Sequence, residues 1–316
     1  MVELKHHFPE SFFVEEERLG FRIDRKRKEI WAVELDMLYE LDRVCTKLGI
    51  SYFLDGGTLI GAVRDGHIIP WDDDIDVTML REDYDRFIHE APKEFADPLF
   101  LQTGYNEKGY LRGHSQLRNS NTCAILSQEL NRVFFNQGIF LDIFVIDSLF
   151  PEKVERQFKE REELLYQRSR IMKRPFRGGL FKRVAKQVRY WLYCVRYPTP
   201  ASFYSRLENI FRSEEQSPTV DYLMFHYDLA QIHPLNRSWF EETIRIPFEG
   251  SLFPVPKGYH EYLSCYYEDY MTPKQAPSIH NAGGGVIFDT SRSYREVLEE
   301  FSAQAEVPHG DKNTCE

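Results

Sequence analysis

Three stretches of this 316-residue sequence predict a mixed α/β fold, with a sheet core flanked by helices and a helical insertion. From Asp24 to Leu48 apolar residues recur at helical spacing. After Trp71 an acidic stretch alternates acid and apolar residues. Ile139 to Asp147 is nearly unbroken apolar sequence with Asp142 inside it. The first pattern reads as an amphipathic helix, the second as a strand with one buried face and the third as a central strand.

Taken in order, residues 1–23 carry no clear period and read as an irregular lead-in. The helix over 24–48 presents Ile30, Trp31, Val33, Leu38, Leu41, Val44, Cys45 and Leu48 on one side, and Gly49 stops it. Ile50–Leu54 reads as a short strand, broken by Gly56-Gly57 before a short helix, Leu59–Arg64. Pro70 forces an extended approach to an acidic strand, Trp71–Met79. A helix over Glu82–Glu90 ends near Pro92. Short β pieces follow at Leu99–Thr103, His114–Leu117 and Thr122–Leu126, then the central strand. Residues 24–150 form the catalytic core in this reading.

The insertion spans 151–246. It opens with a charged helix, Glu152–Lys173, and Pro175 and Gly178-Gly179 interrupt it. In the next helix, Leu180–Arg196, the residues Leu180, Phe181, Val184, Ala185, Val188, Trp191, Leu192 and Val195 share one sector; Lys182, Arg183, Lys186, Arg189 and Arg196 take the other. Either that apolar face packs on the core, or it lies in an anionic membrane interface. Residues 247–301 hold an extended segment, a helix over Gly258–Asp269, a flexible break at Asn281-Ala-Gly-Gly-Gly and a last helix from Ser291. Residues 302–316 read as a disordered tail.

Composition is that of an ordinary soluble protein, 42% hydrophobic and 28% charged. No window approaches a membrane span, and the first residues lack the order of a signal peptide. The five cysteines are scattered and form no CxxC pair, which points to reduced thiols, a cytoplasmic setting and no zinc site. Net charge is −10, yet residues 168–196 hold ten Lys/Arg and no acid. That block favours an anionic partner, and a location at the inner face of a membrane. No pattern points to nucleic acid.

Asp74 and Asp76 project from one side of their strand, roughly 6–7 Å apart. Carboxylates held so close repel unless a cation sits between them. Asp142 is either a strand-end carboxylate bonded to a neighbouring amide or the third member of this set. Mg²⁺, with Mn²⁺ as a substitute, suits such hard oxygen donors, and two ions would serve an in-line phosphoryl displacement. Gly56, Gly57 and Thr58 would let backbone amides approach phosphates at a helix start. Asp72 and Asp73 read as approach and surface residues. A calcium loop is disfavoured, because Val77 replaces its sixth-position glycine and Asp83 its last glutamate.

GGTLIGAVR, IPWDDDID and REDY within Tyr52–Tyr84 resemble the LicD family of phosphotransferases, relatives of fukutin. Phe140–Asp147, Phe253-Pro254-Val255-Pro256, and Tyr267-Glu268-Asp269-Tyr270-Met271-Thr272-Pro273 followed by His280 support the resemblance; the pieces cover about a quarter of the chain. It implies a nucleotidyltransferase-like fold and transfer of a phospho-alcohol from a CDP-activated donor to a sugar hydroxyl of a glycan precursor, lipid-linked in some members. It carries metal ligation onto Asp74, Asp76 and Asp142, phosphate contacts onto Gly56, Gly57 and Thr58, and supporting contacts onto Arg64 and Asp269. Asp65 and Glu268 depart from the His and Gly expected there. With CDP-choline as donor, Trp71, Tyr266, Tyr267 and Tyr270 are candidates for an aromatic box around the ammonium. A polyol-phosphate donor would need hydrogen-bonding groups instead. Two rival functions remain at this point: a metal-dependent glycosyltransferase using a nucleotide-sugar, and a non-catalytic glycan- or choline-binding module.

Overall fold

The computed structural model describes residues 1–130, 133, 135–172, 179–275 and 285–306. Pro175, Gly178, His280, the 281–284 run and the tail past 306 lie outside the described residues; residues 302–306, expected in the disordered tail, are instead helical.

The lead-in is ordered rather than irregular. A 3₁₀ turn, Glu10–Phe13, precedes a hairpin of β1 (Glu16–Arg18) and β2 (Phe21–Ile23). Strands of three residues are too short to show a period, so this order was not readable from the sequence. Phe13 and Ile23 are buried, and Lys5 Nζ donates to Glu40 Oε2 at 2.5 Å. Helix α1 (Arg25–Leu48) follows. Asp24 caps it by accepting from the Arg27 amide at 2.9 Å, and Gly49 ends it at φ 61°, a left-handed geometry that glycine adopts freely.

After β3 (Phe53–Leu54), α2 (Gly56–Arg64) starts three residues before the expected Leu59, so Gly56, Gly57 and Thr58 make its first turn. Strand β4 (Asp76–Leu80) is shorter than the expected 71–79, and residues 72–75 approach it without regular structure. Next come α3 (Arg81–Glu90), β5 (Leu99–Gln102), β6 (Ser115–Asn119), β7 (Cys123–Leu126) and β8 (Ile139–Ser148), close to the expected positions.

Strand β8 is central. It pairs in parallel with β4, Asp142 opposite Asp76. Its other edge pairs antiparallel with β6 along the first half and with β9 (Thr219–Asp221) at the end. β3 extends the sheet from β4, β5 from β6, and β10 (Leu235–Asn236) from β9. Every residue of β8 except Phe144 and Ser148 is buried, as in a strand covered on both faces. α1 lies along β8 and β6, and α3 against β4 and β8.

Helices α4 (Pro151–Met172), α5 (Leu180–Arg196) and α6 (Pro200–Glu208) form the insertion. β9 and β10, expected inside it, instead join the main sheet. α4 buries only Gln157, Phe158 and Arg161, and α5 buries no residue. The core-facing alternative for α5 is therefore excluded. The hairpin of β11 (Thr243–Phe248) and β12 (Ser251–Pro256) packs against β3, and α7 (Tyr259–Tyr267) leads to the site. β13 (Val286–Asp289) pairs with β7, beside α8 (Tyr294–Glu306). Cys45, Cys123, Cys194 and Cys265 are free thiols.

Candidate active site

Parallel pairing of β4 with β8 sets the site, because it brings Asp76 beside Asp142 at the same end of two neighbouring strands. Asp74 joins from the approach segment, which is tied to β8 where the Asp142 amide donates to the Ile75 carbonyl at 3.0 Å. One carboxylate oxygen each from Asp74, Asp76 and Asp142 lies within 4.8 Å of the other two. Burial, then the Asp76, Asp72 and Asp142 carboxylates, push Asp74 well above the usual carboxylate range. Burial, then Asp142 and Asp72, do the same to Asp76. An all-oxygen donor set with this mutual repulsion fits a hard divalent cation.

The glycines of α2 face these acids. A Cβ on Gly56, which has φ +53°, would come within 2.9 Å of Asp76 Oδ2, and one on Gly57 within 2.3 Å of Asp72 Oδ2. Any larger residue would displace a carboxylate. A cleft of about 380 Å³ opens over them, lined by Gly56, Gly57, Ile60, Arg64, Trp71, Asp72–Asp74, Asp76, Tyr267, Asp269, Tyr270 and Lys274. That volume is in the range of ligand sites.

The family model of the LicD/FKTN/FKRP nucleotidyltransferase domain matches residues 49–162, which contain α2, the three carboxylates and β8. Residues 49–162 form a LicD-family nucleotidyltransferase domain. The lipopolysaccharide cholinephosphotransferase LicD of Haemophilus influenzae is 29% identical over 249 residues, covering 77% of this chain and 91% of that protein. An uncharacterised protein of Rickettsia prowazekii is 29% identical over 159 residues, 48% of this chain and 55% of its own length. The human ribitol 5-phosphate transferase FKRP is 54% identical over 35 residues, 11% of this chain and 7% of that one.

In and around this LicD domain, several expected residues sit elsewhere than the sequence suggested. The Thr58 side chain is buried and does not line the cleft; its Oγ1 accepts from the Asp76 amide at 2.9 Å and so ties α2 to the start of β4. Tyr266 is not in the cleft either. Its ring stacks at 4.9 Å on His233 and packs against Tyr222 and Tyr262. Trp71, Tyr267 and Tyr270 do line the cleft. Asp72 and Asp73 do lie in the approach to β4 but are not surface residues: Asp73 is buried, Asp72 half-buried, and both line the cleft, because Arg27 Nη1 and Trp31 Nε1 of α1 hold the Asp72 carbonyl at 2.7 and 3.2 Å and turn the run inward. Arg64 reaches the rim, where Nη2 meets Asp65 Oδ2 at 2.7 Å. Asp269 is exposed and accepts from the Thr272 amide at 3.2 Å.

The site also holds residues the motifs did not reveal. Gln116 Nε2 donates to Asp142 Oδ1 at 2.6 Å, and Gln116 Oε1 in turn accepts from Arg118. Arg118 is fully buried; desolvation, then Arg112, lowers it to about 10. This chain fixes the orientation of Asp142. His114 Nε2 stands 3.4 Å from Asp142 Oδ1, with its ring on Phe144 and Phe225. His114, Gln116 and Arg118 alternate, a period-two signal that the sequence did carry. Glu34 of α1 is 1% exposed, with no hydrogen-bond partner for Oε2 among the described residues. Burial, then Asp73 and Asp72, push it well above the usual range. Lys274 at the cleft had no sequence signal.

Proposed function

We propose that this protein is a Mg²⁺-dependent transferase that moves phosphocholine from CDP-choline to a sugar hydroxyl of a cell-surface glycan precursor, such as one of lipopolysaccharide or teichoic acid, and releases CMP. The observation that carries the reading is the three-carboxylate set, two of whose members, Asp74 and Asp76, line a cleft that also holds cations and aromatic rings. The breadth of the match to the Haemophilus lipopolysaccharide cholinephosphotransferase supports it. In the reaction the sugar oxygen forms a bond to the donor's choline-bearing phosphorus, the bond from that phosphorus to the CMP oxygen breaks, and the hydroxyl proton leaves to a cleft carboxylate. Asp74, Asp76 and Asp142 would hold the metal, two ions in the fullest form. Bound Mg²⁺ supplies charge neutralisation of the phosphate oxygens and of the departing CMP. Arg64 and Lys274 bind the diphosphate, while Trp71, Tyr267 and Tyr270 face the trimethylammonium. Gln116 keeps Asp142 in its working rotamer.

A ribitol-phosphate donor is the second reading, favoured by the short, high-identity match to the ribitol 5-phosphate transferase. Thermal shift with CDP-choline, CDP-ribitol and UDP-glucose, each with Mg²⁺ or EDTA, separates the two. Stabilisation by CDP-choline in Mg²⁺ alone is expected. A response only to CDP-ribitol moves the assignment to the second donor, and a response only to UDP-glucose sinks both.

A further inference from the structure

Helix α5 is mounted with its apolar side outward. Its part-buried residues are Tyr190, Tyr193 and Cys194, and Tyr193 and the following Tyr197 pack on Phe203 of α6 at 6.1 and 5.4 Å. The opposite sector carries its seven large apolar residues, all between 51% (Val188) and 91% (Phe181) exposed. Surfaces of that kind, contiguous and rimmed by polar groups, mark an interaction site.

The charge around the sector identifies what covers it. By helical spacing, Lys182, Arg189 and Arg196 border the apolar face on one side and Arg183 on the other. No acid occurs anywhere in 168–196, against ten Lys/Arg. A second copy of this chain docking α5 on α5 would oppose two acid-free cationic rims, which repel. Beside the helix, a cleft of about 520 Å³ between α4, α5 and α6 is lined by Arg168, Arg189, Arg196 and Arg206 against Glu160 and Glu163, with Leu164 and Leu192 among its apolar lining. Guanidinium groups over an apolar floor suit a phosphate head attached to an acyl chain. No helix among the described residues is long and apolar enough to cross a membrane. A lipid contact by this helix would therefore run along the layer, not across it.

We propose that α5 is an interfacial anchor, lying in the plane of an anionic phospholipid layer with Phe181, Trp191 and Leu192 among the acyl chains and the bordering cations at the phosphates. Apolar burial and electrostatic attraction act together in such a helix, and each can be removed separately. This inference does not depend on the donor or on the transferase reading.

The test is flotation of the full chain with vesicles of phosphatidylcholine containing about 30% phosphatidylglycerol, against pure phosphatidylcholine, at low and high salt. Binding at least tenfold tighter to the anionic vesicles, and weakened by salt, is expected. Phe181→Ser/Trp191→Ser should lose at least tenfold of that binding with an unchanged melting temperature, since both side chains are already exposed. Lys182→Glu/Arg189→Glu/Arg196→Glu should abolish the preference for the anionic vesicles. Equal flotation with neutral vesicles, or full flotation of the Ser double variant, overturns the proposal. So does a wild-type dimer that sediments as a monomer in the double variant while neither binds vesicles.

Discussion

The two ends of the β4–β8 pair both bury carboxylates, and they treat them in opposite ways. At one end Asp76 and Asp142 stand side by side with Asp74, and the charges that most strongly shift Asp74 and Asp76 are other aspartates. At the other end Asp147 and Glu208, 1% and 0% exposed, close on a single guanidinium. Arg81 Nε donates to Asp147 Oδ1 at 2.7 Å and Nη1 to Glu208 Oε1 at 2.8 Å, while Tyr105 and Arg212 complete the Glu208 shell. Burial alone would lower Arg81, but Asp147 and Glu208 more than offset it and hold it well above its ordinary value. The same two strands therefore carry a cluster whose cation is built in and a cluster of aspartates whose oxygens fit a cation from outside.

The largest effect should come from the site end. Asp76→Asn is expected to lower transfer by on the order of 10⁴, about 5 kcal/mol of transition-state stabilisation. Its effect on folding should have the opposite sign. A carboxyl raised in the folded state keeps its proton longer than in the unfolded chain, so stability is greatest below the unfolded value and is lost as pH rises through the raised one. Asp74 and Asp76 are both raised, largely by burial. Without metal, the melting temperature should fall as pH is taken from about 5 to 8, a window set by the upward direction of both shifts from carboxylate reference values near 4. Mg²⁺ should remove most of the fall, and Asp76→Asn should flatten both responses. A wild-type melting curve that ignores pH and Mg²⁺ alike would break the contrast between the two ends.

Arg81→Met tests the other end. It leaves Asp147 and Glu208 buried without their central cation, a change expected to cost about 3–5 kcal/mol. Denaturant melts should show that loss, with Asp147→Asn in the same chain recovering part of it. Here the folded fraction and the activity should fall together, whereas at the site end activity falls without a loss of fold. Should Arg81→Met melt like the wild type, the built-in cation is not what stabilises that end.

How much of this contrast could be read from the sequence follows from the range of the interactions. The frame was legible: α1 from its period, Asp24 and Gly49, and β8 from its apolar run. Asp74, Asp76 and Asp142 were grouped on strand pattern alone, and parallel pairing does bring them together. What failed depended on contacts across the chain. The buried Thr58 side chain serves an amide 18 residues away, a contact no local pattern shows. Asp72 and Asp73 precede the strand, and α1, gripping the Asp72 carbonyl from Arg27 and Trp31, turns them inward. Arg81 sits in a motif that reads as a helix start, and neither Asp147 nor Glu208 is near it in sequence. β1 and β2 gave no signal because three residues show no period.

The smallest expected effect concerns backbone strain at the rim of the site. Glu268, standing where the family resemblance leads one to expect glycine, has φ 55° and ψ −109° at the end of α7. A side chain in that region costs on the order of 1–3 kcal/mol, which glycine avoids. Glu268→Gly should therefore raise stability by roughly 1 kcal/mol after the added flexibility of the unfolded chain is counted. The neighbouring Tyr267, Asp269 and Tyr270 all line the cleft, so the strained peptide sets where their side chains point. Relief of strain should then appear as a higher KM for the CDP-alcohol with kcat little changed. If Glu268→Gly gains stability and keeps its KM, the strain is incidental to the site. If it loses stability, the Glu268 side chain holds the loop by contacts that outweigh its backbone cost, and the site end would be stabilised from within much as the Arg81 end is.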